Sequence, residues 1–319
     1  MRILLVKTSS LGDVIHNLPV ASDIRRRFPE AVIDWLVEES FAEIPRLHPA
    51  ISQVIPVAMR RWRKSLLSSA TWREIGHFRR LVSADIYDAV IDTQGLVKSA
   101  LLASQARGQK FGQDSRSARE PLAARFYDRC FDIPRQQNAV QRNRQLAAAA
   151  LGYALDAMPL DYGMSAPALQ ADWLSTRKYA VLLTATSRAD KEWPENRWHM
   201  LGAALNDAGL HCVLPGGNAA ERARAARIVG TLPHAVAAPA MNLADLAGLM
   251  AGASIVIGVD TGLVHLAAAL QRPTVAIYCG SDPSLTGVLG TAAHRNLGGI
   301  GQSPAPADVI EAALPLAAA

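Results

Sequence analysis

Short apolar runs that do not alternate with polar residues recur along the chain, and a longer helical pattern follows each of them. The runs cover residues 2–7, 32–38, 54–57 and 88–94 in the first half, and 179–187, 211–217, 254–260 and 274–280 in the second. A strand buried on both faces has this pattern, and strands that alternate with helices form parallel sheets. The sequence therefore predicts the α/β fold class, with two Rossmann-like domains in tandem.

The length of the chain and the restart of the pattern predict the domain boundaries. A chain of 319 residues exceeds the usual size of one domain. Residues 155–170 contain two prolines and no clear period, as is typical of a linker. We predict an N-terminal domain, a linker, a C-terminal domain and a final helix at residues 1–153, 154–177, 178–304 and 305–319. Helices are predicted in the first domain near residues 13–28, 71–83, 95–105, 118–130 and 137–151.

Composition indicates two well-formed cores without a membrane span. Half of the residues are hydrophobic and 19% are charged. The sequence has no run of about eighteen apolar residues, and its apolar N-terminus lacks a signal-peptide cleavage site. We expect a soluble cytoplasmic protein whose cysteines, Cys130, Cys212 and Cys279, are reduced thiols.

Charge is distributed unevenly between the two halves. Residues 1–153 carry a net charge of +8 and residues 154–319 one of −3, which together give the +5 of the whole chain. A basic half indicates a polyanionic partner. Nucleic acid, a phospholipid surface and a phosphorylated substrate all remain open on this ground.

The first apolar run leads into the stretch VKTSSLGDVIHNLPV, in which Asp13 follows a Ser-Ser-Leu-Gly loop. A carboxylate at this place can cap the helix that follows. Because Ser9 and Ser10 are already adequate caps, Asp13 can instead serve as a general base at the edge of the sheet. The residues by themselves leave both interpretations open.

The second half starts in a similar way, with hydroxyls and a charge just past a strand. In TATSRADKEWPENRW, Thr186 and Ser187 end the strand and Lys191 follows in the loop. Hydroxyls and a lysine near a helix start can bind a phosphate or diphosphate, and a solvated loop lysine is the alternative. The chain has no Walker loop and no GxGxxG at either junction, which disfavours a Walker-type ATPase or an ordinary dehydrogenase.

A third junction, GVDTGLVHLAAAL, begins a strongly apolar helix directly after a strand. Its polar residues are Asp260, Thr261, Gly262 and His265. Asp260 by itself could be a simple N-cap. The four positions together favour a site for an anion or a sugar.

A basic segment at residues 59–80 surrounds Trp62 with Arg60, Arg61, Arg63 and Lys64. The pair Thr71 and Glu74 predicts a capping box at the start of the next helix. Nucleic-acid binding, contact with a phosphorylated membrane-embedded substrate and a merely solvated loop are all consistent with this segment. Two more cations that can extend the patch are Lys98 and Arg119.

Metal sites are not expected. The sequence has no Asp-x-Asp pair to hold Mg²⁺ on a nucleotide diphosphate, and its histidines lack zinc-ligand spacing. A phosphate would then be neutralised by Lys191, hydroxyls and helix N-termini.

The motifs together resemble the lipopolysaccharide heptosyltransferase I family of Gram-negative bacteria. The resemblance runs over nearly the whole chain, through KTSSLGDVIHNLPV, IPVAMRRWRK, YDAVIDTQGLVKSA, AREPLAARFY, DKEWPENRW and VDTGLVHLAAAL. It implies the GT-B architecture, in which two Rossmann-like domains with parallel sheets face an interdomain cleft, with a last helix that can cross back to the N domain.

The resemblance also implies an activity. The family transfers heptose from ADP-L-glycero-D-manno-heptose to the inner Kdo of Kdo-lipid A, inverts the anomeric carbon, and uses neither metal nor cofactor. It implies a peripheral enzyme on the anionic cytoplasmic face of the inner membrane, without a nucleic-acid partner. A heptosyltransferase that acts on a later core heptose, a sugar-nucleotide epimerase or hydrolase, and a non-enzymatic binder are the alternatives.

Roles follow position by position from the resemblance. It makes Asp13 the general base and Lys191 a second catalytic residue. The implied donor-binding residues are Thr186, Ser187, Lys191, Glu221, Met241, Asp260, Thr261, Gly262 and His265. The implied acceptor-binding residues are Arg60, Arg61, Arg63, Lys64, Lys98 and Arg119. The sequence departs from the family in Ser187, which replaces a threonine, and around Thr184, where a histidine is expected.

Overall fold

The computed structural model describes residues 1–156 and 158–318, which form two compact units, Met1–Met164 and Ser165–Ala319. The boundary between the units lies inside the predicted linker. Residue 157 of that linker and residue 319 of the predicted final helix lie outside the described residues. Each unit has its own parallel sheet covered by helices.

The first unit is built on six parallel strands. The strands are β1 (Arg2–Val6), β2 (Val32–Glu38), β3 (Ile51–Val57), β4 (Ile86–Asp92), β5 (Arg107–Gln113) and β6 (Arg129–Phe131). The helices are α1 (Leu11–Ile15), α2 (Leu18–Arg27), α3 (Glu43–Arg46), α4 (Met59–Trp62), α5 (Ser69–Val82), α6 (Val97–Ala103) and α7 (Ala139–Leu151). The strand order is β3-β2-β1-β4-β5-β6, and Leu4 of β1 pairs with Asp34 and Val90 of its neighbours.

The second unit repeats this topology. Its strands are β7 (Tyr179–Leu183), β8 (His211–Leu214), β9 (Ala235–Ala237), β10 (Ile255–Val259), β11 (Thr274–Tyr278) and β12 (His294–Gly298). Its helices are α8 (Glu195–Asp207), α9 (Ala219–Val229), α10 (Leu243–Ala251), α11 (Gly262–Ala269), α12 (Pro283–Thr286) and α13 (Pro306–Ala318). The order β12-β11-β10-β7-β8-β9 is the same Rossmann order, and Ile257 pairs with Leu182 and Val275.

The predicted α/β class and the eight predicted strands are confirmed, but the sequence missed four strands at or near the sheet edges. They are β5, β6, β9 and β12. The sequence of β5, RGQKFGQ, has no apolar run because only its last three residues are buried. The helix predicted near 118–130 is wrong: Pro121–Phe126 is a short 3₁₀ helix and Arg129 already begins a strand. The helices predicted near 71–83, 95–105 and 137–151 are confirmed as α5, α6 and α7, whereas the stretch predicted near 13–28 is divided into α1 and α2.

Aromatic and aliphatic side chains fill the core of the second unit. The rings of Trp193 and Trp198 are fully buried, 5.0 Å apart and nearly perpendicular, a geometry that adds about 0.5–1.5 kcal/mol to their burial. The final helix α13 packs on α8, β10 and β11 of this unit, and its Val309 and Ala313 are fully buried. The final helix is therefore part of this core.

A buried histidine in the first unit makes stability depend on pH. His48 is 3% exposed; Nε2 is 2.9 Å from the Ser22 hydroxyl and Nδ1 accepts the Ala50 N–H at 3.1 Å. Burial is the main cause that lowers the pKa of His48 from 6.5 to about 4; nearby Asp161 opposes this and Arg25 adds to it. The folded protein therefore holds this imidazole neutral where the unfolded chain is protonated.

We predict that the free energy of unfolding falls as the pH falls from 6.5 to 4, by about 1.4 kcal/mol per pH unit from this group. Above pH 6.5 neither state binds the proton, so the contribution is constant there. Urea unfolding across this range, compared with His48→Gln, isolates the effect, because glutamine is polar and does not titrate. Parallel pH profiles for the two proteins would contradict the prediction.

Candidate active site

A buried carboxylate at the end of β4 organises the site in the first unit. Asp92 accepts the backbone N–H of Gln94 at 2.8 Å and the hydroxyl of Tyr127 at 2.8 Å. Burial is the main cause that raises the pKa of Asp92. Gly112 makes room for the tyrosine ring, since a Cβ there would lie 2.2 Å from a ring carbon. Gln94 is thereby fixed at the carboxyl end of the sheet.

Gln94 in turn holds the loop that follows β1. Its side-chain oxygen accepts the backbone N–H groups of Thr8 at 3.1 Å and of Ser9 at 3.2 Å, and Gln94 is only 2% exposed. This loop leads into α1, which carries Asp13. A chain of buried hydrogen bonds thus runs from Tyr127 through Asp92 to the loop before Asp13. No local motif indicates this chain of hydrogen bonds, because Tyr127 and Gln94 are far apart in sequence.

Asp13 caps helix α1 and also faces a cation. Its Oδ2 accepts the backbone N–H of Ser10 at 2.7 Å and the Ser10 hydroxyl at 3.1 Å, and lies 3.6 Å from a guanidinium nitrogen of Arg119. The carboxylate remains 28% exposed. The capping interpretation is therefore correct, and it leaves a fixed and accessible carboxylate that can accept a proton.

Two lysines lie at the same loop. Lys98 donates to the Ser9 hydroxyl at 3.4 Å. Lys7, directly after β1, is 5% exposed and donates to the Thr93 carbonyl at 2.8 Å and to Asn143 Oδ1 at 3.3 Å. Burial lowers the pKa of Lys7 to about 8, and the charge of Asp13 opposes this shift. Sequence reasoning missed Lys7, although a lysine that ends a fully buried strand was a visible signal.

The basic segment around α4 is held by glutamates. Arg61 donates to Glu39 at 3.0 and 3.1 Å and to Glu74 at 2.8 and 3.0 Å, and the indole N–H of Trp62 donates to Glu74 at 2.7 Å. These contacts engage the Arg61 guanidinium within the unit. Arg61 therefore anchors the segment, while Arg60, Arg63 and Lys64 are exposed.

The capping box predicted for Thr71 and Glu74 is wrong. Helix α5 begins at Ser69, with Ser68 as its N-cap. Thr71 is buried and its hydroxyl lies 3.0 Å from that of Ser65. Glu74 turns away from the helix start because a guanidinium and an indole N–H bind it more strongly than a backbone amide would. A cavity of about 540 Å³ opens beside this helix, lined by residues that include Trp62 and Glu74.

The second unit joins three of the predicted donor residues in one network. Lys191 Nζ donates to Asp260 Oδ2 at 2.6 Å, and the Thr186 hydroxyl donates to the Asp260 carbonyl at 3.0 Å. The side chains of Lys191 and Asp260 are 18% and 9% exposed. The loop after β7 is thereby tied to the residue after β10, and a lysine and a hydroxyl meet at the strand ends.

A residue that the sequence did not single out joins the same network. The Ser281 hydroxyl, in the loop after β11, donates to Asp260 Oδ2, the oxygen that also accepts from Lys191. Gly280 lets the two loops approach, since a Cβ there would lie 2.8 Å from the carbonyl and a carboxylate oxygen of Asp190. Asp260 is thus the centre of a three-loop cluster.

The start of α11 adds backbone donors at the same edge. Thr261 is its N-cap, Gly262 is its first residue, and His265 is 5% exposed one turn in. The first N–H groups of a helix have no partner within the helix and favour an anion. The predicted hydroxyl and lysine thus lie at the same sheet edge as the start of α11, and together they can bind a phosphate.

The remaining predicted donor residues lie at other loops of this unit. Ser187 is exposed in the loop after β7. Glu221 accepts the Gly217 N–H at 2.7 Å and the Asn218 side-chain amide at 2.8 Å, as part of the cap of α9. Met241 is half-buried next to the N-cap of α10. Ribose and adenine contacts at Glu221 and Met241 stay predictions.

The two units carry nearly the same short sequence at corresponding strand ends. Asp-Thr-Gln-Gly-Leu-Val covers 92–97 at the end of β4, and Asp-Thr-Gly-Leu-Val covers 260–264 after β10. Each of these strands is fourth in its unit and lies beside the first strand. The repeat lies at the fourth strand of each unit, so the similar starts of the two halves do not reveal it. It is visible in the sequence when DTQGLV is aligned with DTGLV.

Residues 75–309 match the sequence profile of glycosyltransferase family 9 (heptosyltransferase). The chain belongs to this family. It is also 47% identical, over 91% of its length and 92% of the relative's, to lipopolysaccharide heptosyltransferase 1 of Salmonella typhimurium.

Two solved structures of the E. coli heptosyltransferase WaaC are similar to this member of the family. The one with ADP has a TM-score of 0.89 at 43% identity and covers 98% of both chains. The one with ADP-2-deoxy-2-fluoro heptose has a TM-score of 0.85 and covers 95% of both. The predicted family, the glycosyltransferase activity and the GT-B fold class are confirmed.

We predict that Gln94→Leu lowers both the stability and the transferase activity of this family 9 enzyme. The change removes the acceptor of two buried N–H groups, which costs about 1–3 kcal/mol in the free energy of unfolding, and frees the loop before Asp13. Gln105→Leu is the control, because the Gln105 side-chain amide donates to Leu101 and Ser104 of its own turn. Urea unfolding and heptosyl transfer check both effects; equal results for the two variants would contradict the prediction.

Proposed function

We propose that the chain transfers L-glycero-D-manno-heptose from ADP-heptose to the inner Kdo of Kdo-lipid A, in the biosynthesis of the lipopolysaccharide inner core. The observation that carries the proposal is Asp13, a fixed and partly exposed carboxylate beside Arg119. Its support is the 47% identity to a lipopolysaccharide heptosyltransferase 1, together with a similar structure that contains an ADP-heptose analogue.

In this proposal the second unit binds the donor. Lys191, the hydroxyls of Thr186 and Ser187, and the start of α11 neutralise the charge that develops on the diphosphate as it leaves. Lys191 supplies a full positive charge, and we propose that the reaction needs no metal for this reason. Glu221 and Met241 are proposed to contact the ribose and the adenine, as the family resemblance implies.

The first unit binds the acceptor and supplies the base. A Kdo hydroxyl oxygen forms a bond to the anomeric carbon of heptose while the bond from that carbon to the diphosphate breaks. The hydroxyl proton passes to Asp13 and ADP leaves with the electron pair. Because this is a single displacement, it inverts the anomeric configuration. Ser10 holds the carboxylate in place through its two hydrogen bonds.

Cations near Asp13 suit an anionic acceptor. Arg119 and Lys98 lie around the loop of Asp13, and Arg60, Arg63 and Lys64 are exposed on and after α4. Kdo carboxylates and lipid A phosphates are the anions that we propose they bind. Arg61 contributes by holding this segment against its two glutamates.

We predict that Asp13→Asn lowers the transfer rate by about 10²–10⁴ while ADP binding is retained, because the general base is lost but the donor site is not. Asparagine keeps an oxygen that can accept the Ser10 N–H, so the loop is preserved. Mass spectrometry of Kdo-lipid A after incubation with ADP-heptose measures the transfer, and NMR of the product gives the anomeric configuration.

Asp128→Asn is the matched control, since the exposed Asp128 likewise accepts one backbone N–H, that of Lys110 at 2.7 Å. It is expected to transfer heptose at the wild-type rate. No mass shift with folded wild type would refute the proposal. Transfer only to an acceptor that already carries heptose would indicate the later-acting type of enzyme, and loss of ADP-heptose without acceptor would indicate a hydrolase or an epimerase.

We also propose that the enzyme binds the anionic cytoplasmic face of the inner membrane as a peripheral protein. Within residues 1–156 and 158–318 no helix is both long and apolar enough to cross a bilayer. Between α4 and α5, after Arg63 and Lys64, Leu67 is fully exposed and Leu66 is 51% exposed, and Trp72 in the first turn of α5 is 60% exposed. Apolar side chains flanked by cations suit a lipid headgroup boundary.

We predict that Leu67→Ser weakens binding to vesicles that contain phosphatidylglycerol by about tenfold, because it removes one inserted leucine. Ile300→Ser, which changes another exposed apolar residue (71% exposed) in the second unit, is the control and is expected to have no effect. Vesicle sedimentation at low and high salt separates the apolar contribution to binding from the electrostatic one, since salt screens the cations. If the wild-type protein does not bind these vesicles at low salt, the membrane proposal is ruled out.

A further inference from the structure

Ser281 is a polar residue in the second unit to which the proposed mechanism assigns no role. Its hydroxyl donates to Asp260 Oδ2, the same oxygen that accepts from the Lys191 ammonium at 2.6 Å. One carboxylate oxygen thus receives two donors from two different loops. The Asp260 side chain is only 9% exposed, so water has little access to it.

This arrangement sets a requirement for diphosphate binding. The Lys191 ammonium already has an anionic partner, and a diphosphate must compete with that partner. If Lys191 turns to the diphosphate, the largely buried carboxylate of Asp260 loses its cation, and a buried charge without donors is strongly unfavourable. Another donor on Asp260 would reduce this cost.

We propose that Ser281 is a positioning residue that keeps Asp260 hydrogen-bonded and oriented while Lys191 binds the donor diphosphate. Its hydroxyl already bonds the oxygen that Lys191 would leave. The inference rests on the proposed function, because it assumes that Lys191 binds the diphosphate. It assigns Ser281 no contact with the substrate.

The loop of Ser281 is held in place for this role. Gly280, the preceding residue, packs against the carbonyl and a carboxylate oxygen of Asp190, the residue before Lys191. Asp190 is itself paired with Arg188. The loop after β11 and the loop that carries Lys191 are therefore in close contact, and the serine hydroxyl lies on the same oxygen as the lysine.

The test is a double-mutant cycle on ADP binding, measured by calorimetry with the full chain. Ser281→Ala is expected to weaken ADP binding about tenfold, because Asp260 then keeps Lys191 more tightly. Ser281→Thr keeps the hydroxyl and is expected to restore most of the affinity. In the Lys191→Met background the serine change is expected to have no effect, since no lysine needs to be released.

Ser284→Ala is the matched control, because Ser284 is an exposed serine of the following helix, α12. It is expected to bind ADP as wild type does. Equal losses from Ser281→Ala with and without Lys191, or no loss in either, would overturn the inference while leaving the donor site in place. Unchanged ADP binding in Lys191→Met alone would instead refute the donor assignment on which the inference rests.

Discussion

Two buried carboxylates at corresponding strand ends control the geometry of this protein. Asp92 ends the fourth strand of the first sheet and Asp260 follows the fourth strand of the second. A buried carboxylate must find hydrogen-bond donors, because leaving it without them costs more than ordering a loop around it. For Asp260 the loops after the two neighbouring strands, β7 and β11, supply those donors. For Asp92 the donors are the N–H of Gln94, in the loop directly after it, and the hydroxyl of Tyr127. Gln94 in turn holds the loop before Asp13.

The partners of the two carboxylates differ in charge, which gives them different uses. Asp92 is held by a backbone N–H and a tyrosine hydroxyl, which are neutral groups fixed in the fold. Asp260 is held by the Lys191 ammonium and by the Ser281 hydroxyl. A neutral, buried set of partners suits a permanent scaffold for the loop before Asp13. The Lys191 ammonium can leave Asp260 and pair with another anion, as diphosphate binding requires.

Capping and catalysis do not compete at Asp13. The hydrogen bonds from Ser10 that complete the cap also fix the orientation of the carboxylate, and 28% of the side chain stays exposed. At Arg61 the structural role replaces the predicted one. The sequence groups Arg61 with three exposed cations, but in the structure its guanidinium forms ion pairs with Glu39 and Glu74. Its neighbours in sequence gave no sign of this, because both glutamates come from other elements.

The sequence by itself determined the α/β class, the two-domain repeat, the family and most of the residues at the strand ends. Apolar periodicity and local motifs carry that information, because they act over a few residues. Only the tertiary structure decided that β5, β6, β9 and β12 complete the sheets, and that Gln94, Tyr127, Lys7 and Ser281 belong to the candidate site. These strands and side chains are held by partners far away in the chain, and such partners leave no local pattern; Lys7 is the exception, because a lysine at the end of a buried strand is visible in the sequence.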